Sequence, residues 1–158
     1  MVTKDRSVPL ATTVPPLVRM LGFAGLLPQI AAVAVPLVAP SFGFAAQALG
    51  FAYASLILSF LGGLWWGLAA AGHERAPGWL YGAAVVPSLF ALACAVPWAV
   101  GWPWPGPSLI ALALAIWASL WIDFRLARKG LTPGWWLSLR VPLSAGLGLL
   151  TLIVGLMA

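Results

Sequence analysis

The residues of this chain that could do chemistry are few and lie far apart. Asp123 and Arg140 stand inside long apolar stretches, at similar distances from a turn centred near Gly130. A lone charge in apolar surroundings is costly, so such residues usually pair or have a function. The spacing predicts a partly buried Asp123–Arg140 ion pair that holds two antiparallel helices in register. The alternative is a proton or substrate pathway through the pair.

A second candidate is the charged cluster formed by His73, Glu74 and Arg75. A solvated loop is the ordinary interpretation of such a cluster. The alternative is a ligand site at which Trp66, His73 and Glu74 bind a head group, a haem or a catalytic water. The sequence contains no nucleophile elbow, phosphate-binding loop, metal-ligand spacing or pair of catalytic carboxylates. It therefore predicts no catalytic residue, no metal and no cofactor.

A row of small residues recurs every four positions in one apolar stretch, and it comprises Ser55, Ser59, Gly63 and Gly67. Small residues at this spacing let the backbones of two membrane helices approach closely. The pattern predicts a helix-packing ridge on a central helix. The alternative is that Gly62 and Gly63 open a groove for an apolar ligand against Trp66.

The composition defines the elements that must position these residues. Of the 158 residues, 63% are hydrophobic and only 7% are charged. Soluble domains have about 45–50% apolar and about 25% charged residues, and disordered chains have low hydrophobicity. Both classes are therefore excluded. The net charge of +5 is interpreted as a topology signal, so no nucleic-acid partner is expected.

Five apolar stretches are long enough to cross a bilayer as helices, and they cover residues 17–38, 43–72, 79–100, 107–127 and 135–157. Short links between them place consecutive helices side by side. The sequence thus predicts an all-α, five-helix transmembrane bundle as a single domain, 17–158, after a short tail, 1–16. Kinks are expected at five prolines within the spans: Pro28, Pro36, Pro87, Pro97 and Pro142.

The basic residues predict the orientation of the bundle. With five spans, all eight fall on one side, and they are Lys4, Arg6, Arg19, Arg75, Arg125, Arg128, Lys129 and Arg140. By the positive-inside rule the N-terminus is cytoplasmic and the C-terminus periplasmic. Most of the ten Trp residues fall near span ends, as in interfacial aromatic belts. Residues 1–16 lack an Arg- and Ser-rich presequence, so a bacterial inner membrane is expected.

Four sequence blocks resemble the transmembrane protein 69 family, and they are LGFAGLLPQIAAV (21–33), YASLILSFLGGLWWGLA (53–69), VVPSLFAL (85–92) and LSLRVPLSAGLGL (137–149). The blocks follow the family's order across nearly the whole chain. The resemblance implies a five-span helical protein of bacteria or mitochondria and supplies no established reaction. Family members usually carry His where this chain has Trp65, so an activity of that His would be missing here.

Two functions of different classes follow from these observations. The first is a non-catalytic accessory or assembly partner that acts through helix packing, with a membrane protein or a second copy of the chain as its partner. The alternative is a carrier or binder of a lipid, quinone or porphyrin between kinked helices. Membrane enzyme chemistry centred on His73 and Glu74 has the least support. All three place the chain in the lipid bilayer.

Overall fold

The computed structural model describes residues 13–72 and 76–158, and its helices form one bundle. The described residues form six α-helices: α1 (Pro16–Ala24), α2 (Leu27–Val38), α3 (Gly43–Gly72), α4 (Trp79–Ala99), α5 (Gly106–Arg128) and α6 (Trp136–Met157). A 3₁₀ turn, Pro40–Phe42, joins α2 to α3. The segment from α1 through α2 and each later helix are long and apolar enough to cross a membrane. The predicted all-α bundle with five spans is confirmed.

The first span is broken, which corrects the single helix expected over residues 17–38. Pro28 cannot donate a backbone hydrogen bond, and its ring clashes with the carbonyl four residues earlier. That residue is Ala24, at which α1 ends. The amide of Gln29 bonds to Leu26 O at 3.1 Å, so the Gly25 carbonyl is free for another donor. The Tyr53 hydroxyl of α3 donates to this carbonyl.

The other four prolines lie within continuous helices. Pro36 stands in α2, Pro87 and Pro97 in α4, and Pro142 in α6. Each removes one donor from the helix ladder but leaves the helix unbroken. The first span is therefore the discontinuous one among the described residues.

The packing face of α3 is displaced from the small-residue row that the sequence suggested. Within the described residues, nothing lies within 4 Å of a methyl group placed at Gly63 or Gly67. A methyl group at Gly62 would instead overlap the carbonyl oxygen of Ala84 in α4. Gly63 and Gly67 of the predicted ridge therefore face no described helix, and α4 lies against Gly62. The absence of a side chain at Gly62 allows α3 and α4 to approach closely at this point.

Helices α5 and α6 form an antiparallel hairpin that is fastened at both ends. At one end, a Cβ at Gly155 of α6 would lie 3.0 Å from Leu109 Cβ and 3.1 Å from Gly106 O of α5. At the other end, Asp123 of α5 meets Arg140 of α6. Between the two ends lies the main apolar core, whose fully buried side chains include Leu58, Leu109, Leu112, Ile116 and Val154.

The outer surface of the bundle is strongly apolar. Large hydrophobic side chains are exposed along every helix, among them Leu17, Leu37, Leu49, Leu92, Leu114 and Leu156. Soluble monomers do not expose contiguous apolar surface on this scale. The surface fits the hydrocarbon of a lipid bilayer, and the chain is a multi-pass membrane protein.

Candidate functional site

The polar centre of the bundle is the carboxylate of Asp123, which is completely buried. Two indoles donate to its Oδ1: Trp65 Nε1 of α3 at 3.0 Å and Trp136 Nε1 of α6 at 3.3 Å. Arg140 of α6 forms an ion pair with the other oxygen, Oδ2, which lies 2.9 Å from Nε and 2.8 Å from Nη2. Three helices therefore converge on a single carboxylate. We call Asp123, Trp65, Trp136, Arg140 and Ser119 the carboxylate cluster.

Ser119 completes the cluster from the helical turn before Asp123. Arg140 Nη2 donates to Ser119 Oγ at 3.4 Å, and Ser119 Oγ donates to Ile116 O at 2.6 Å. Both oxygens of Asp123 are thus supplied with charged or strongly polar donors, which is what a buried charge requires. These contacts join α3, α5 and α6 around one ion pair.

The structure brings together the two residues predicted to pair, Asp123 and Arg140. Sequence reasoning missed the two indoles, because Trp65 and Trp136 lie toward span ends, where Trp is typical of the membrane interface. Both are buried. A signal was available: Trp136 precedes Arg140 by four residues, and residues at that spacing lie on the same face of a helix. Ser119 and Asp123 have the same relation.

Beside the cluster lies a cavity of about 200 Å³ at the break in the first span. We call it the chamber. Gly22, Gly25 and Leu26 of the broken span form one wall. The other walls come from α3, α5 and α6 and include Tyr53, Phe60, Ile116, Arg140, Leu143 and Ser144. The chamber thus brings the helix break, the guanidinium of Arg140 and two hydroxyl side chains to one place.

The hydroxyl of Ser144 differs from those of Ser138 and Thr151 on the same helix. Ser138 and Thr151, also in α6, donate to carbonyls of their own helix at 2.6 and 2.7 Å. Ser144 is only 1% exposed, and its Oγ has no hydrogen-bond partner among the described residues. A buried hydroxyl without a partner costs free energy. Ser144 belongs to the chamber wall, one helical turn beyond Arg140.

Two shallow grooves on the outside of the bundle are almost entirely apolar. One, of about 630 Å³, lies between α4 and α5 and reaches Trp65 and Ser119. The other, of about 580 Å³, lies between α2 and α3. Both are open to the surroundings of the protein, and their chemistry suits lipid acyl chains. Neither groove contains a charged side chain in its lining.

The remaining predicted site residues are not brought together with the chamber. Trp66 is half-exposed and packs edge-on against Tyr81, with ring centroids 5.1 Å apart. His73 and Glu74 lie outside the described residues. Residues 13–72 and 76–158 contain no group of three His, Cys, Asp or Glu side chains placed to hold a metal ion.

Comparison with known proteins identifies a family but no activity. The sequence model of a family described as a protein of unknown function, DUF3429, matches residues 14–157. Because the match covers most of the chain, the chain belongs to this family. The comparisons with curated proteins and with solved structures gave no significant match.

Proposed function

We propose that this member of the DUF3429 family is a non-catalytic membrane protein that binds an apolar ligand at its broken first span. The observation that supports the proposal is the chamber, in which a helix break, Arg140 and the Ser144 hydroxyl, which has no partner among the described residues, coincide. Discontinuous membrane helices occur where irregular backbone lines a binding cavity. The grooves between α4 and α5 and between α2 and α3 contain no charged group that could orient a ligand.

The chamber opens toward the bilayer, which is the source of the ligand. Leu21 and Phe60 belong to its lining, yet they are 61% and 63% exposed. A ligand with a long apolar tail can therefore place its polar end in the chamber and leave its tail among the lipids. This arrangement fits a lipid or a quinone better than a porphyrin, because ligand pockets for larger molecules measure about 300–1,000 Å³.

The experiment is native mass spectrometry of the protein extracted from its own membrane in mild detergent. We expect a stoichiometric small molecule to remain bound. Leu143→Trp should displace it, because Leu143 lies in the chamber wall against Gly22. Leu149→Trp is the matched control, since Leu149 is exposed on the same helix. Empty wild-type protein, or equal retention by both variants, would contradict the proposal.

A second candidate function is that of an accessory or assembly partner, which the outward face of α3 favours. Gly63 and Gly67 are exposed, and no described residue approaches their missing side chains. A foreign membrane helix could pack closely there. Cross-linking tests this in a chain whose single cysteine, Cys94, is replaced by Ala. We expect Gly63→Cys to cross-link to a partner or second copy and Leu56→Cys, on the same helix, to do so less.

We also propose that the protein lies in a bacterial inner membrane with its N-terminus in the cytoplasm. The support is the charge at one end of the bundle, where α5 ends with Arg125, Arg128 and Lys129. Exposed Trp98 and Trp102 lie at the other end, where α4 ends. Labelling of single cysteines in the α4–α5 and α5–α6 links from outside intact cells would test this orientation. Only the α4–α5 link should react.

A further inference from the structure

We propose that the chamber takes the uncharged, carbonyl-bearing head group of a long-tailed amphiphile. The inference rests on the proposed ligand-binding function and names the chemical class of the ligand. It follows from the hydrogen-bonding groups of the chamber, from its charge balance and from its size.

The chamber is lined by one donor-only side chain, Arg140, and by two hydroxyls that can donate or accept, Tyr53 and Ser144. Arginine has five N–H donors and no acceptor. The hydrogen bonds of Arg140 within the described part of the chain use Nε and Nη2, and the cluster gives no acceptor to Nη1. Ser144 adds a hydroxyl with no partner there. The Tyr53 hydroxyl already donates to Gly25 O. A molecule that bonds to Arg140 in the chamber must therefore supply an acceptor atom, to which the Ser144 hydroxyl can also donate.

The charge of Arg140 is already balanced, so the acceptor is uncharged. The guanidinium lies 2.8 Å from the carboxylate of Asp123, and its side chain is only 10% exposed. An anionic head group would add an unmatched charge in surroundings that desolvate it, at a large cost. A carbonyl oxygen accepts two hydrogen bonds without bringing a charge. Carbonyl groups of this kind occur in quinones and in the esters of neutral glycerides.

The volume and depth of the chamber fit such a head group. About 200 Å³ holds a single ring or an ester group, whereas a water molecule occupies about 30 Å³. Arg140 and Ser144 lie four and eight residues beyond Trp136, the first residue of α6. At 1.5 Å per residue, they stand roughly 6 and 12 Å along the helix. The two donors therefore lie one above the other along one wall of the chamber.

The test measures calorimetric binding of four probes to the full-length protein in detergent. Two probes carry carbonyls: a benzoquinone with a ten-carbon tail and dioctanoylglycerol. The other two are decanoate, which is anionic, and decylbenzene, which has a ring and tail but no carbonyl. We expect at least one carbonyl probe to bind tenfold or more tightly than decanoate and decylbenzene. The tighter of the two identifies a quinone or a glyceride as the source of the carbonyl.

Substitutions in α6 test whether the carbonyl of the bound molecule contacts Ser144. Ser144→Ala should weaken binding of the carbonyl probe about 3- to 10-fold, which is the effect of one lost hydrogen bond. It should leave decylbenzene binding unchanged. Ser138→Ala is the matched control, because Ser138 is exposed and bonds to Trp135 O of its own helix. Since Ser144→Ala removes no hydrogen bond between described residues, the variant should fold.

The outcomes separate the inference from the function on which it rests. Decanoate binding as tightly as the carbonyl probes would overturn the inference and indicate an anion site. Equal binding of decylbenzene, or no effect of Ser144→Ala, would overturn it as well, while the ligand-binding function stands. Binding of none of the probes, together with an empty protein in native mass spectrometry, would overturn both.

Discussion

Two polar environments share Arg140, and they are built in opposite ways. In the carboxylate cluster, each oxygen of Asp123 receives two donor atoms from neighbouring helices. In the chamber, Ser144 Oγ is buried without a partner among the described residues. A saturated buried network rigidifies a protein, whereas an unsaturated one stores a cost that a ligand can relieve. The cluster therefore joins the helices, and the chamber is the place where we propose that a ligand binds.

Removing the carboxylate should have the largest effect on stability. Asp123→Ala leaves Arg140 buried without its counter-charge, so we expect a loss of about 3–5 kcal/mol in the free energy of unfolding. Titration of detergent-solubilised protein with a denaturing detergent measures it. Arg128→Ala, at an exposed position, is the control. The double variant Asp123→Leu with Arg140→Met should recover most of the loss, and failure to recover would mean that the charges do more than balance each other.

Substitution of the two indole donors should have the second-largest effect on stability. Trp65→Phe and Trp136→Phe each remove a hydrogen bond to a charged group, worth about 1.5–3 kcal/mol. The loss should be larger for Trp65, whose Nε1 lies 3.0 Å from the carboxylate oxygen against 3.3 Å for Trp136. The same unfolding titration checks both. Trp121→Phe, whose exposed ring stacks on Arg125, should change stability less than either, and the reverse order would contradict the cluster's geometry.

The tyrosine at the helix break should have a smaller effect. Tyr53→Phe removes the donor to Gly25 O, for which we expect about 0.5–1.5 kcal/mol. Amide hydrogen exchange in residues 22–29 should accelerate, while exchange in α5 should stay the same. Tyr81→Phe serves as the control, because Tyr81 packs on Trp66 away from the break. Acceleration spread over the whole bundle would show that Tyr53 does not act locally.

The chamber hydroxyl should have the smallest effect. Ser144→Ala removes no hydrogen bond within the described chain, so stability without ligand should stay unchanged or rise by no more than about 1 kcal/mol. Thermal unfolding in detergent measures it. Ser119→Ala, which breaks a bond to Arg140, should lower stability instead. A clear loss for Ser144→Ala would show that this hydroxyl already has a structural partner.

The sequence was sufficient to predict the spans and to single out Asp123 and Arg140, which lie 2.8 Å apart, because a charged residue is conspicuous in a long apolar stretch. It was not sufficient to predict that the indoles of Trp65 and Trp136 bond to Asp123. Trp residues near span ends are typical of the membrane interface, and only the tertiary contacts separate Trp65 from exposed Trp66. The Trp65 position is instructive, because the histidine implied there by the resemblance would also carry a ring N–H donor. The partner of that donor, Asp123, lies 58 residues away along the chain.

The small-residue row shows a second limit of sequence reasoning. An α-helix turns about 100° per residue, so each step of four residues rotates about 40° beyond a full turn. A row that begins at half-buried Ser55 therefore drifts around the helix and reaches the exposed surface by Gly67. The break at Gly25 was likewise beyond the pattern, which predicted a kink at Pro28 but not two separate helices.

The break in the first span also divides the molecule mechanically. Helix α1 contains no buried residue, whereas α2 contains two, Gln29 and Ala32. Lipid solvates apolar side chains about as well as protein does, so separating α1 from α6 costs little in lost contact. We therefore expect α1 to separate from α2–α6 more easily than those five helices separate from one another. The hydrogen bond from the Tyr53 hydroxyl to Gly25 O holds α3 to the break between α1 and α2.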